Sequence, residues 1–202
     1  MGLLRTELTG HEETLGWQDF MGTAPAKYTG DAAQTEARFD VQYDYEWDDT
    51  AGHKGYRVDH VQVTVTLDRA SMWSDKPSRT PALLQHEQGH YDIVALVARD
   101  LFNELTGWDS GKPPKRFRKQ TDLKNAADRL IRQAKAQAAR LAGTATTVGV
   151  YDTQPKHGQD AKAQDEWDKA LAAARSGGSR LVAPVSGSSA SAGAGAGAGA
   201  KR

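Results

Sequence analysis

Cysteine is absent from this chain of 202 residues. Its absence excludes disulfide frameworks, thiolate zinc fingers, iron–sulfur sites and cysteine nucleophiles together. Any transition metal must therefore be held by histidine and carboxylate. An excess of charge is also missing, with 26 basic against 26 acidic residues, so bulk electrostatics do not point to a nucleic-acid partner. No stretch approaches the roughly 20 apolar residues needed to span a bilayer. Met1 to Gly10 lacks the apolar run of a signal peptide, so the chain reads as soluble, with cytoplasmic residence or non-classical export as the expectation from this segment. What is present is 38% hydrophobic and 26% charged residues, enough for one modest core.

Ala37, Phe39, Val41, Tyr43, Tyr45 and Trp47 alternate with polar neighbours, the period of a half-buried strand between about Thr35 and Asp49. Gly52 and Gly55 mark a turn, and Val61, Val63, Val65 and Leu67 form the return strand. Tyr56 and Val58 fall on the other parity, which a bulge near Asp59 and His60 reconciles. A long helix from about Pro81 to Leu105 follows, capped by Thr80, with Leu84, Tyr91, Val94, Ala98, Leu101 and Leu105 at helical spacing. Lys112, Lys115, Arg116, Arg118 and Lys119 lie among Gly111, Pro113 and Pro114, the composition of a solvated connection with a local positive patch. Thr121 to Ala142 is alanine-rich and amphipathic, with Leu123, Ala127, Leu130, Ala134, Ala138 and Leu141 on one face. A final helix is expected from about Gln159 to Ala174. From Ser176 the chain turns to glycine, serine and alanine, which predicts a disordered tail. The expected organisation is an N-terminal segment 1–14, a domain 15–175 and a tail 176–202. The fold class is α+β, a hairpin packed on two helices.

The chemistry lies in His86, Glu87, Gln88, Gly89 and His90. Histidines four apart on a helix stand on one face and can reach one ion, and Glu87 is placed to reach a water on that ion without ligating it. Gly89 leaves room for a ligand or a second backbone to approach. A catalytic zinc needs a third protein ligand. Leu96 stands where the extended metzincin motif requires histidine, and Glu104 lies about 20 Å further along the helix at ~1.5 Å per residue. His157, in a polar loop beside Gly158, is the preferred third ligand, with Glu166 and Asp152 as alternatives. Tyr151 is a candidate donor to the oxyanion of a tetrahedral intermediate. Asp92 and Asp152 are candidates for orienting a ligand imidazole, although Asp92 points away from His90 on a helix.

Leu15, Trp17, Asp19, Phe20 and Gly22, then Ser71 and Trp73, the run from Leu84 to Ile93, and Tyr151, Asp152, His157, Gly158, Gln164 and Trp167 together resemble a bacterial family of uncharacterised, predicted secreted zinc-dependent proteases. The likeness runs from about Leu15 to Leu171. It implies a zincin-like fold, Zn2+ on His86 and His90, Glu87 as catalytic acid/base, and a functional Tyr-Asp and His-Gly segment that includes His157. It also implies a peptide or protein substrate and a secreted or periplasmic location. Pro155 stands where that family usually has threonine. The return strand from about Tyr56 to Leu67 is the expected edge for substrate to pair with by strand addition. The competing expectation is a non-catalytic, metal-stabilised interaction domain. Oligomeric state is not legible in the sequence.

Overall fold

The computed structural model describes residues 5–25, 32–50, 52–111, 114–144 and 146–184. Its architecture is mixed α+β. Strands β1 (Glu7–Thr9), β2 (Ala33–Gln34), β3 (Ala37–Asp48), β4 (Gly55–Leu67) and β5 (Trp73–Ser74) precede helices α1 (Pro81–Ser110), α2 (Gln120–Ala142), α3 (Val150–Thr153) and α4 (Ala161–Gly177). β3 and β4 form the expected antiparallel hairpin. Tyr43 pairs with Val61 and Tyr45 with Val58, so Asp59 and His60 together oppose Asp44. That extra residue lets Val58 and Val61 both turn inward and be buried.

The sheet order is β1-β4-β3, with β1 parallel to β4. β4 is therefore central, and the expectation that Tyr56 to Leu67 offers a free edge is corrected: among the described residues the edge strands are the short β1 and the long β3. The reason lies in the first residues of the chain. β1 pairs Glu7 with Gln62 and Thr9 with Thr64, and the segment after it is tied to α1, where the Leu15 amide donates to Gln88 Oε1 at 2.7 Å and Tyr91 donates to the Gly10 carbonyl at 2.7 Å. The part expected to stand apart as residues 1–14 thus belongs to the domain as far as it is described.

One face of the sheet carries Phe39, Val61, Val63 and Val65 against the helices, and the even residues of β3 from Arg38 to Glu46 face solvent. α1 starts where expected, with Thr80 Oγ1 accepting from the Leu83 amide at 3.1 Å and Pro81 in the first turn. It continues five residues past Leu105, because Trp108 is buried at its end and stacks obliquely on Phe117. In the basic connection Arg116 is paired with Asp48 and Asp109, and Lys115 Nζ sits 3.8 Å over the Trp108 ring. α4 is capped by Asp160, which accepts from the Ala163 amide at 3.1 Å, and runs to Gly177. Beyond it Leu181 is buried and its amide donates to Asp100 at 3.2 Å, so packing continues past the boundary expected at Arg175. The rest of the expected tail, 185–202, lies outside the described residues. No helix among the described residues is long and apolar enough to cross a membrane.

Candidate metal centre

The five residues of the motif point in different directions around α1, and each has an identifiable task. Gln88 faces the N-terminal segment, accepting from Leu15 and donating to the Glu13 carbonyl at 3.1 Å and to Asp92 at 2.9 Å. Asp92 also pairs with Arg175 of α4. It is an anchor between helices, not the partner of a ligand imidazole. Gly89 makes room for a side chain, not a backbone: a Cβ there would stand 2.0 Å from the Tyr151 hydroxyl.

His86 and His90 share the third face, their ring centroids 5.0 Å apart. Both are oriented through Nδ1. His86 donates to Gln164 Oε1 at 3.0 Å and His90 to the Ala142 carbonyl at 2.8 Å. A carbonyl oxygen can only accept, so each ring carries a proton on Nδ1, and Nε2 is the atom left to face a metal. The Gln164 amide is itself fixed in sense, because its nitrogen donates to Asp168 at 2.9 Å and to the Tyr151 hydroxyl at 2.7 Å. The Ala142 carbonyl is available because α2 stops there: Gly143 takes φ 82° and ends the helix, leaving the last carbonyls without helical partners.

The two Nε2 atoms converge on one oxygen. Asp152 Oδ1 lies 3.4 Å from His86 Nε2 and 2.9 Å from His90 Nε2. Ligand atoms of the three residues all lie within 4.8 Å of one another, a group able to hold a metal ion. Two imidazoles and one carboxylate are a donor set that zinc and several other first-row metals accept. Asp152 comes from α3, whose first turn it also closes, with Oδ2 accepting from the Gly149 amide at 3.3 Å.

His157, the preferred third ligand, is not a member of this group. Lys156 and His157 adopt left-handed backbone angles, φ 50° and 54°, and the His157 amide donates to the Asp152 carbonyl at 3.0 Å. This tight turn sets the His157 ring at the rim, its side chain 37% exposed and Nδ1 3.6 Å from Asp152 Oδ1. Glu166, the other alternative, does not line the cavity at the site.

Tyr151 departs from its expected role. The ring is fully buried, stacked on His86 with centroids 4.7 Å apart and edge-on to His90 and Trp167. It is not part of the cavity wall, and burial raises the phenol well above its ordinary pKa. It packs behind the imidazoles, so it positions them and has no path to an oxyanion. Gln164 was missed as an orienting group in the residue-by-residue reading. A glutamine on the inner face of a polar helix carries no signal by itself.

Glu87 is 2% exposed. Among the described residues two buried side-chain oxygens have no hydrogen-bond partner, Glu87 Oε2 and Thr35 Oγ1. Both residues line one cavity of about 530 Å³ that also includes His86, His90, Asp152 and His157. Leaving a buried acceptor unsatisfied costs about 1–3 kcal/mol, and more if it is charged, so such an atom marks a place where something else is meant to bind.

The site's charges favour a cation. Burial alone raises an aspartate, yet hydrogen bonds from His86 and His90 hold Asp152 well below the usual carboxylate range. Burial alone would neutralise His90, yet the Asp152 hydrogen bond and the Glu87 and Asp152 charges raise its pKa to about 9. In the metal-free protein, protonated His90 therefore adds stability that is complete below its ordinary value of 6.5 and is lost as pH rises through about 9. Metal binding must displace that proton. Apparent zinc affinity is expected to climb about tenfold per pH unit and level off above about pH 9. A competition titration across that range measures it, and a flat profile would show that His90 carries no proton to displace. Gln164→Leu is expected to weaken zinc binding about 10–100-fold by freeing the His86 ring, measured in the same titration. An unchanged affinity would mean that the ring is fixed by Tyr151 alone.

The chain matches no family model and has no significant match among curated proteins or solved structures.

Proposed function

We propose that the chain is a zinc-dependent peptidase of zincin-like fold, in which His86, His90 and Asp152 hold the ion and Glu87 moves the proton. The observation that carries this reading is Glu87 Oε2, buried without a partner among the described residues in the wall of the cavity that includes His86, His90 and Asp152. A purely structural site has no use for such an oxygen. Zinc bound there supplies Lewis acidity and brings the pKa of a water toward about 7. Glu87 takes the proton from the attacking water and hands it to the leaving amine. Gln164 and the Ala142 carbonyl, which accept from the two Nδ1 atoms, keep both imidazoles in the ligating tautomer.

A peptide fits this arrangement better than a small ester, because the cavity reaches Ala37 to Asp40 at the start of β3, the longer of the sheet's two edge strands. An extended chain can add to that edge through main-chain hydrogen bonds. The family resemblance supports the same substrate class and makes export from the cytoplasm the expectation that accompanies it.

The full chain incubated with zinc and a mixed peptide library is expected to cleave it, with a chelator stopping cleavage and added zinc restoring it. Stoichiometric zinc without cleavage of any peptide or of casein would favour the non-catalytic, metal-stabilised domain.

A further inference from the structure

The cavity is larger than a metal and a water require. Its volume of about 530 Å³ falls within the ~300–1,000 Å³ of pockets that enclose small ligands. Its wall changes character with distance from the ligands. One turn beyond His90 on α1 is Val94, buried at 6% exposure, and Phe39 from β3 is buried at 3%. Across from them α2 contributes Ala138 and Ala139. At the outer end Lys135 Nζ lies 3.5 Å from Asp40 Oδ1 and both residues line the rim.

The space exists because α2 is small at this point. Its other buried residues are Leu123, Ala127, Leu141 and Ala142; at 138 and 139, where the helix lines the cavity, leucine would add volume on the cavity side. Protein interiors normally fill such space. Small residues alone would mean little, but the same wall contains Glu87, nine-tenths buried and more, with an oxygen that nothing among the described residues satisfies.

We infer that this apolar part of the cavity is a pocket for one bulky apolar side chain of a bound peptide, and that Ala138 and Ala139 set its size. The inference rests on the peptidase reading for the identity of the ligand and refines it to peptides carrying leucine, phenylalanine or a similar residue next to the reacting bond. Val94 and Phe39 supply the apolar contact. The charged rim of Lys135 and Asp40 marks where the pocket meets solvent. Glycine in place of the apolar residue leaves the pocket wet.

Blocked hexapeptides identical except for one central residue, Gly, Ala, Leu or Phe, test this by calorimetric titration into the zinc-loaded full chain carrying Glu87→Gln, which prevents turnover. Burying a leucine or phenylalanine side chain predicts binding more than about tenfold tighter than the glycine peptide. Ala138→Leu is expected to cut that ratio below about threefold while leaving the glycine peptide unchanged. Ala139→Leu, at a less tightly packed position, does the same if Ala138→Leu fails to fold. Equal affinity across the series, no binding by any peptide, or a ratio untouched in a folded variant would each overturn the inference. A peptide preference in a protein whose wild type cleaves nothing would instead remove the peptidase reading and leave the pocket standing.

Discussion

Replacing Glu87 with glutamine is expected to leave zinc bound and to lower the rate of peptide hydrolysis about 10²–10⁴-fold, the usual contribution of a positioned general base. The size follows from placement. Glu87 is next to a ligand in sequence yet turned about a quarter of the helix away, so it lines the ligands' cavity without being one of them. Glutamine keeps the shape and an acceptor oxygen but cannot take a proton. Metal content and kcat measured on the same sample separate chemistry from loading. Loss of zinc together with activity would make Glu87 a ligand, and unchanged kcat would remove it from the mechanism. The folded state should not suffer, since Oε2 has no partner among the described residues to lose.

The second large effect belongs to Asp152. Its Oδ1 is the oxygen on which both imidazoles converge, so Asp152→Asn is expected to weaken zinc binding by more than the ~10–100-fold that loss of a merely orienting group costs. Asparagine retains an acceptor for the Gly149 amide, which keeps the start of α3 intact. In the metal-free variant His90 loses its hydrogen-bonded counter-charge, so its pKa should fall from about 9 toward the ordinary range, an effect visible by NMR titration. His157→Ala, by contrast, is expected to change zinc affinity by less than about threefold, because the ring stands at the rim and outside the ligand group. If the two variants exchange these behaviours, the ligand is His157.

The helix that carries the motif was legible because each device that builds it is local: Thr80 and Pro81 at its start, and an apolar face of constant period through Leu105. The hairpin was legible for the same reason, down to the bulge at Asp59 and His60, where the alternation changes parity. His86, Glu87 and His90 announce themselves because four-residue spacing on a helix is itself the ligating geometry. Asp152 does not. It is joined to the histidines by tertiary packing alone, on a helix of four residues too short to show a period. The one local hint, an acidic residue three after Gly149 where it can cap a first turn, describes a helix start and says nothing of a metal. β1 is three residues long and is held only by β4, remote in sequence, which is why β4 looked like an edge. Tyr151 was misjudged because a phenol near a metal motif suits two tasks, and only packing against Gly89 and His86 distinguishes them.

The ligand set is tested most directly by an anomalous difference map at the zinc absorption edge from crystals of the full chain grown with zinc. The expected result is a single strong peak about 2.0–2.2 Å from His86 Nε2, His90 Nε2 and Asp152 Oδ1, facing the Glu87 carboxylate. A peak that His86 and His90 share with His157 while Asp152 stands off, or the absence of any peak between the two histidines, would contradict it.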